Sequence, residues 1–232
     1  MFPSTGSSMI LVFDLDDTLY PEITFVHGGL RAVAAWGEAE FGWDAERSCA
    51  TMMSVLERDG RGAIFDAWLA GHGACTPGRI RECVRVYRYH EPRIELSEAA
   101  EAVLDRYRDL RLYLVTDGHK GVQARKVDAL GLWERFERVY ITHRYGRRHA
   151  KPSTHCFDLI RKREKAPWDR LMYVADDPTK DFVGLNGKGA HTVRVLTGRQ
   201  RDVTARPGYE AQARIGDLTG LPAVVDRVFG AG

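Results

Sequence analysis

Several features that mark specialised classes of protein are missing from this sequence. No apolar run in its 232 residues is long enough to cross a bilayer, and no charged segment followed by an apolar one marks a signal peptide at the start. The formal net charge of +2 is small, so the chain has no strong electrostatic attraction to nucleic acid or to an anionic membrane. We therefore expect a cytoplasmic protein that binds no nucleic acid and no membrane.

Cysteine and histidine patterns typical of metal sites are missing as well. The sequence has no CxxC pair and no HExxH, which argues against a zinc site. We expect reduced thiols at Cys49, Cys75, Cys83 and Cys156. There is no internal repeat and no low-complexity segment. The opening MFPSTGSS, residues 1–8, is small and polar and predicts a disordered extension without a function.

The most informative stretch that is present is MILVFDLDDTLYP, residues 9–21. Its apolar start predicts a fully buried strand of a parallel sheet, and Asp14, Asp16 and Asp17 follow at once. Because side chains alternate along an extended chain, Asp14 and Asp16 are expected on the same side. Two carboxylates placed so repel each other unless a cation or a proton lies between them. The alternative is a solvated acidic loop, since Asp also favours turns.

Three further apolar runs also end in polar residues. They are LRLYLVTDG at residues 110–118, RVYITHRYGRRHAKP at 138–152 and RLMYVADDPTKDF at 170–182. In an open parallel sheet, ligands bind outside the carboxyl ends of the strands. The polar groups of four strand ends are therefore expected to meet in one crevice: an acidic pair, a hydroxyl, a lysine and a second acidic cluster. Such a set predicts a site for Mg²⁺ and a phosphate.

The order DLDDT, TDG, KP and DDPTKD resembles the four motifs of the haloacid-dehalogenase-like superfamily, in its capped phosphatase type. The framework that carries the motifs spans residues 9 to about 195, most of the chain. The resemblance implies a phosphoric monoester hydrolase that uses Mg²⁺. It also implies a Rossmann-like core with a helical cap inserted after the first strand.

Hydrophobic periodicity supports the same division. From residue 23 to about residue 90, helical spacing replaces strand-like runs and predicts about four helices. Elsewhere strands alternate with helices, which indicates an α/β fold with a doubly wound parallel sheet. One predicted helix covers residues 179–187, with Asp181 near its start. We assign residues 1–20 and 93–232 to the catalytic core and 21–92 to a cap that would exclude water and select the leaving group.

Position and resemblance together give the first two carboxylates separate roles. Asp14 is the expected nucleophile, which attacks phosphorus and forms an aspartyl-phosphate. Asp16 is the expected general acid for the leaving alkoxide and later the base that activates water, a task for which nearby carboxylates could raise its pKa. The resemblance implies that the backbone carbonyl of Asp16 also binds the metal. Since the haloalkanoate dehalogenases need no acid there, Asp16 favours phosphoryl transfer.

The second and third motifs supply the expected phosphate-binding groups. Thr116 would donate its hydroxyl to a phosphate oxygen, helped by the N–H groups near Asp117 and Gly118. Lys151 would balance charge and hold both the phosphate and Asp14. Together with Asp14 and Asp16, these residues make up the predicted phosphate site.

The fourth motif supplies the expected metal ligands. Mg²⁺ prefers carboxylate oxygens and water, and Asp176 is the best side-chain ligand besides Asp14. Asp177 and Asp181 are weaker candidates, as direct ligands, as ligands through water or as orienting residues.

The substrate stays open at this level. It is expected to be a small phosphorylated metabolite, and both a nucleotide and a sugar phosphate are compatible with the motifs. Arg144, Arg147, Arg148 and His149 either meet a second anionic group or form a solvated loop. Two other functions remain: a sugar-phosphate mutase, which uses the same residues but slows the water step, and a catalytically silent binding module of the same fold. The sequence gives no oligomeric state.

Overall fold

The computed structural model describes residues 9–230 and divides them into two compact units. The larger unit combines residues 9–22 with 95–230, and the other is Ile23–Ile94, inserted between them. The predicted insertion of a helical unit into an α/β core is confirmed. Its role as a cap, and the boundaries after residues 20 and 92, stay predictions. The segment MFPSTGSS lies outside the described residues.

Within residues 9–230 the larger unit is built on one six-stranded sheet. The strands are β1 Ile10–Phe13, β2 Leu112–Thr116, β3 Arg138–Ile141, β4 Leu171–Ala175, β5 His191–Val195 and β6 Ala213–Ile215. Their order is β3-β2-β1-β4-β5-β6, and every neighbouring pair is parallel. This is the doubly wound arrangement that the alternation of strands and helices predicted.

Four helices form the inserted unit, whose residues the structure describes completely. They are α1 Glu22–Phe41, α2 Ala45–Asp59, α3 Ile64–Gly71 and α4 Pro77–Tyr89. Asp44 caps α2 by accepting the N–H of Arg47, and Thr76 caps α4 by accepting that of Arg79. The apolar faces of the helices meet around Trp68, which is 1% exposed.

The larger unit carries the remaining helices of the described chain. They are α5 Glu98–Arg106, α6 Lys120–Ala129, α7 His155–Glu164, α8 Val183–Asn186 and α9 Leu221–Phe229. Strands β1, β2 and β4 are buried at every position, as expected for parallel strands covered on both faces. On one face, Val12 and Tyr173 of the sheet pack in one core cluster with Phe157 of α7 and Leu185 of α8.

The predicted helix over residues 179–187 is wrong in its first half, because only Val183–Asn186 is helical. The carboxylate of Asp177 accepts the N–H of Thr179 at 2.9 Å and its hydroxyl at 2.6 Å. The carbonyl of Asp177 accepts the N–H of Asp181 at 3.0 Å. The two side-chain bonds to Thr179 compete with helix formation, whereas the backbone bond to Asp181 closes a single turn that does not continue as a helix. Asp181 therefore lies in a turn before the helix.

The chain leaves and re-enters the larger unit at neighbouring points. The N–H of Ser97 donates to the carbonyl of Leu19 at 3.0 Å, which joins the segment before α1 to the start of α5. The Ser97 hydroxyl also caps α5 by accepting the N–H of Ala100 at 3.2 Å. The inserted helices thus begin and end at a fixed junction in the larger unit.

Two further features of the described chain bear on the expectations above. None of the helices between residues 9 and 230 combines the length and the apolar character that a membrane span requires. The four cysteines are free thiols, with Cys83 and Cys156 buried and Cys75 exposed.

Candidate active site

Four strand ends bring the predicted residues to one edge of the sheet. Asp14 follows β1, Thr116 ends β2, Lys151 follows β3 after a loop, and Asp176 follows β4. Strand β1 lies between β2 and β4, and β3 lies on the other side of β2, so the four strand ends are neighbours in space, as the sequence predicted.

Lys151 joins the first and the fourth motif. Its Nζ atom lies 2.9 Å from Oδ1 of Asp14 and 2.7 Å from Oδ1 of Asp181, and its side chain is 1% exposed. Although burial lowers the pKa of Lys151, the charges of Asp14 and Asp181 outweigh it and hold that pKa well above its ordinary value. The ammonium group is therefore a permanent positive charge beside Asp14.

Three buried carboxylates form the centre of the site. Asp14, Asp176 and Asp181 each offer one oxygen, and these oxygens lie within 4.8 Å of one another. Burial raises the pKa of Asp14 to about 7, with Asp181 adding to the rise and Lys151 opposing it. Burial, and then the charges of Asp14 and Asp181, raise the pKa of Asp176 to about 9. The cluster is thus short of positive charge, which suits a divalent cation.

Asp181 and Asp177 differ in what their oxygens already bind. In Asp181, Oδ1 contacts Lys151 and accepts from the Tyr173 hydroxyl at 3.2 Å, while Oδ2 accepts the N–H of Asp177 at 3.0 Å. The Asp177 carboxylate is directed at Thr179 and lies outside the three-carboxylate cluster. Burial raises the pKa of Asp177, but the Thr179 bonds outweigh it and leave that pKa below its ordinary value.

Tyr173 is a site residue that the sequence argument missed. It is fully buried in β4, and its hydroxyl lies 2.9 Å from Nζ of Lys151. A buried tyrosine hydroxyl usually has a hydrogen-bond partner, so a tyrosine within an apolar strand was the available signal. The chain is also closely packed directly after Lys151, because a Cβ placed on Gly184 would overlap the carbonyl oxygen of Pro152.

Asp16 lies in a different polar environment from Asp14. Its Oδ1 is 2.7 Å from Nζ of Lys126 and accepts from the Tyr20 hydroxyl at 2.6 Å, and its Oδ2 accepts from the Gln123 amide at 2.9 Å. Burial raises the pKa of Asp16, but the charge of Lys126 and the hydrogen bonds from Lys126, Tyr20 and Gln123 together outweigh burial, and the net pKa is lowered. The prediction that nearby carboxylates raise this pKa is therefore wrong, because a lysine from α6 reaches the carboxylate.

Gln123 connects Asp16 to Thr116. Since a carboxylate only accepts hydrogen bonds, the amide nitrogen of Gln123 must face Asp16, and it also donates to the Thr116 hydroxyl oxygen at 2.6 Å. The hydroxyl hydrogen of Thr116 therefore remains available for another acceptor. Gln123 and Lys126 are three residues apart on α6, which places them on one helix face.

Asp117 and Gly118 shape the turn after β2. The Asp117 carboxylate accepts the Thr142 hydroxyl at 2.5 Å and the N–H of Lys151 at 3.2 Å, so it ties the second motif to the third. Gly118 has a φ of 136°, a conformation that side chains rarely adopt, and the side chain of Gln123 packs against it. The Asp117 side chain is therefore engaged within the protein, and the backbone N–H groups of this turn stay the predicted phosphate donors.

Asp17 holds the acidic loop in shape. Its φ is 53°, its Oδ1 accepts the N–H of Glu22 at 2.9 Å, and the Thr197 hydroxyl donates to its carbonyl. Gly198 lies so close that a Cβ there would overlap the Asp17 side chain. The segment after β5 therefore supports the loop that carries Asp14 and Asp16.

The basic loop before Lys151 is mostly at the surface. Arg144, Arg147 and Arg148 are exposed. The Arg144 guanidinium lies 5.7 Å from the centre of the Trp133 ring, and Nε of Arg148 lies 3.1 Å from Nε2 of His149. These contacts are made at the protein surface. They agree with the solvated loop, one of the two alternatives predicted for this segment.

Comparisons with known proteins identify the family. The model described as haloacid dehalogenase-like hydrolase matches residues 9–187. The glyceraldehyde 3-phosphate phosphatase of Methanocaldococcus jannaschii is 28% identical over 202 residues, which are 83% of this chain and 87% of that protein. The phosphoserine phosphatase of Thermus thermophilus is 32% identical over 193 residues, 82% of this chain and 67% of that protein.

Solved structures agree on the fold. The magnesium-bound HAD-hydrolase YfnB of Bacillus subtilis aligns with a TM-score of 0.69 at 17% identity, covering 94% of this chain and 99% of that one. The family match and these relatives confirm the resemblance and the prediction of an enzyme that the four motifs carried. The chain belongs to the haloacid dehalogenase-like hydrolase family.

Proposed function

We propose that this protein is a Mg²⁺-dependent phosphatase that hydrolyses a small phosphomonoester through an aspartyl-phosphate on Asp14. The observation that carries the proposal is the position of Asp14: it is buried, paired with Lys151 and part of a carboxylate cluster with Asp176 and Asp181. A nucleophilic carboxylate needs positive charge around it before it can approach a phosphate dianion.

The donor set fits Mg²⁺, which prefers carboxylate oxygens. Asp14 and Asp176 are the proposed side-chain ligands, and the carbonyl of Asp16 is the proposed backbone ligand. The oxygens of Asp181 are already bound to Lys151, Tyr173 and the N–H of Asp177, so we assign Asp181 to orientation or to contact through water. Asp177 is the weakest of the proposed ligands. When bound, the ion would offset the charge of the substrate phosphate.

The protein's own groups account for both half-reactions. Because the pKa of Asp16 is lowered in the free protein, Asp16 has to take up a proton when the phosphate dianion binds beside it. In the first half-reaction, an oxygen of Asp14 bonds to phosphorus, the ester P–O bond breaks, and Asp16 gives that proton to the leaving alkoxide. In the second, Asp16 takes a proton from water, whose oxygen bonds to phosphorus and displaces Asp14. The Thr116 hydroxyl, Lys151 and the N–H groups of Asp117 and Gly118 would hold the phosphate oxygens in both steps.

The relatives support a small substrate. They are named for glyceraldehyde 3-phosphate and phosphoserine, which are both phosphate monoesters of small molecules. We therefore propose small alkyl phosphates ahead of nucleotides and larger sugar phosphates. Like the other candidate substrates, they leave as alkoxides, which need a proton from Asp16 as the P–O bond breaks.

The test is phosphate release from a panel of phosphomonoesters with Mg²⁺, including both named substrates, sugar phosphates and nucleotides. We expect release from one class, abolished in Asp14→Asn and unchanged in Asp109→Asn, which alters an exposed aspartate. Undiminished release by Asp14→Asn would contradict the nucleophile assignment. Accumulation of an isomerised phosphoester in place of free phosphate would instead identify a mutase.

A further inference from the structure

The polar cluster around Asp16 contains two buried residues that lie outside all four motifs. Gln123 is 2% exposed, and the side chain of Lys126 is 3% exposed. Lysine and glutamine are seldom buried to this degree, because losing their hydration is costly unless specific partners replace it. Here the partner of both is the same carboxylate, that of Asp16.

The contacts fix the carboxylate of Asp16 in one orientation. The terminal torsion of an aspartate is ordinarily soft, so one hydrogen bond leaves the plane of the group free to rotate. In this site Lys126 and Tyr20 contact one oxygen, and Gln123 contacts the other. Nζ of Lys126 also lies 3.5 Å from Glu22, which restrains the ammonium from a second side.

The same contacts connect the acid–base group to the phosphate site. The amide of Gln123 donates both to Asp16 and to the hydroxyl oxygen of Thr116, at 2.9 Å and 2.6 Å. A movement of Thr116 is therefore transmitted to Asp16 through one rigid amide group. Proton transfer needs the acid to be aligned with the atom that leaves phosphorus, and Thr116 is the proposed anchor of that phosphate.

We propose that Gln123 and Lys126 are positioning residues that set the orientation of Asp16, and that Gln123 couples this orientation to Thr116. The inference rests on the proposed function, in which Asp16 is the acid and the base. It adds two residues of α6 to the machinery, and both act through their contacts with Asp16.

The proposal predicts a loss that depends on the leaving group. Both leaving groups take the electron pair of the P–O bond, but an alkoxide is strongly basic and needs a proton as the bond breaks, whereas p-nitrophenolate is a weakly basic anion and needs none. The water step needs Asp16 in both cases. A variant with a misplaced Asp16 should therefore transfer phosphoryl groups from p-nitrophenyl phosphate to Asp14 normally, and then hydrolyse the aspartyl-phosphate slowly.

The experiment compares Lys126→Met with the wild type on an alkyl phosphate and on p-nitrophenyl phosphate, with Mg²⁺. We expect kcat for the alkyl phosphate to fall about 100-fold, as a misplaced group typically causes, with KM nearly unchanged. With p-nitrophenyl phosphate we expect a burst of about one product per enzyme, followed by slow turnover. Lys126→Arg should restore part of the rate, because it keeps the charge.

Two further variants test the coupling through Gln123 and provide a control for the loss of a lysine. Gln123→Met removes the amide with little change in volume, and it should raise KM as well as lower kcat, because Thr116 loses its partner. Lys162→Met, at an exposed position of α7, serves as the matched control and should behave as the wild type.

The outcomes separate this inference from the proposed function. Absence of turnover in the wild type with every phosphomonoester would contradict the proposed function, and the positioning roles with it. Wild-type kcat in a folded Lys126→Met would overturn the positioning role alone. So would an equal loss on both substrates without a burst in a variant that retains its thermal unfolding midpoint, because Asp14 would then be affected and not Asp16.

Discussion

Asp14 and Asp16 are separated by a single residue, yet they lie in opposite electrostatic environments. Asp14 lies among the buried carboxylates of Asp176 and Asp181 and contacts the ammonium of Lys151, and burial raises its pKa to about 7. Asp16 contacts a buried lysine, an amide and a phenol, and its pKa is lowered. The side chains are chemically identical, so the difference comes from the elements that pack around each one.

The two regions also differ in how their negative charge is balanced. Asp14 and Asp181 share the ammonium of Lys151, and Asp176 adds a third carboxylate, so in the proposed reaction this region depends on an added cation. The region around Asp16 receives its cation from the chain itself, through Lys126 of α6. One region is thus completed by a ligand and the other is complete within the protein.

The largest expected effect comes from breaking the Asp14 region with Lys151→Met. This change removes the ammonium from two buried carboxylates, and removing one partner of a buried pair costs about 3–5 kcal/mol. For a chain of this size that lowers the thermal unfolding midpoint by roughly 6–20 °C. We also expect phosphatase turnover to disappear. A stable and active Lys151→Met would remove the basis of the comparison, and Lys165→Met at an exposed position is the control.

An effect of intermediate size is expected in the dependence of folding stability on pH, measured without metal, and it sharpens the comparison of the two regions. Asp14 and Asp176 have pKa values of about 7 and about 9 in the folded chain, against an ordinary 3.8. For each group, between its ordinary pKa and its pKa in the folded chain, the folded state binds more protons than the unfolded state. The free energy of unfolding therefore falls as the pH rises through that range. The slope is at most about 1.4 kcal/mol per pH unit for each group. Asp16 contributes with the opposite sign, and its contribution is lost only as the pH falls below 3.8.

The measurement is urea unfolding from pH 5 to pH 9, with a chelator and with Mg²⁺. We expect the decline of stability with pH in the chelator to become smaller with Mg²⁺, because a bound cation favours the charged carboxylates. Identical pH profiles in the two conditions would contradict the assignment of the Asp14 region as the metal site.

The smallest expected effect belongs to Asp177→Asn. The carboxylate of Asp177 is bonded to Thr179 and lies outside the cluster. Asn keeps an oxygen that can accept both Thr179 bonds and loses the negative charge, which lies 3.7 Å from Nζ of Lys180. Stability should therefore change by less than about 1 kcal/mol, and turnover should stay within about threefold of the wild type. A loss of Mg²⁺-dependent activity as large as that of Asp176→Asn would show that Asp177 belongs to the metal site.

The sequence was most informative where function depends on local order. A short apolar run followed by carboxylates is enough to predict β1 and its acidic loop, and parallel strands bring their ends together by geometry. Gln123 and Lys126 were missed because their partner Asp16 lies 107 and 110 positions away. A polar residue on a helix ordinarily faces water, so nothing local indicated burial. The turn at Asp177 was missed for the opposite reason. Its cause is local, the hydrogen bonds from Thr179 to the Asp177 carboxylate, but the spacing of apolar residues there is also compatible with a helix.

The junction between Leu19 and Ser97 has a consequence for how such chains diversify. A backbone hydrogen bond closes the larger unit across the whole inserted segment. Loop-closure entropy grows only with the logarithm of length, and each doubling costs about 0.6 kcal/mol. Helices can therefore be lengthened, shortened or exchanged between these two points at little cost to the folding of the sheet. The reaction chemistry and the inserted module can thus evolve as separate, interchangeable parts.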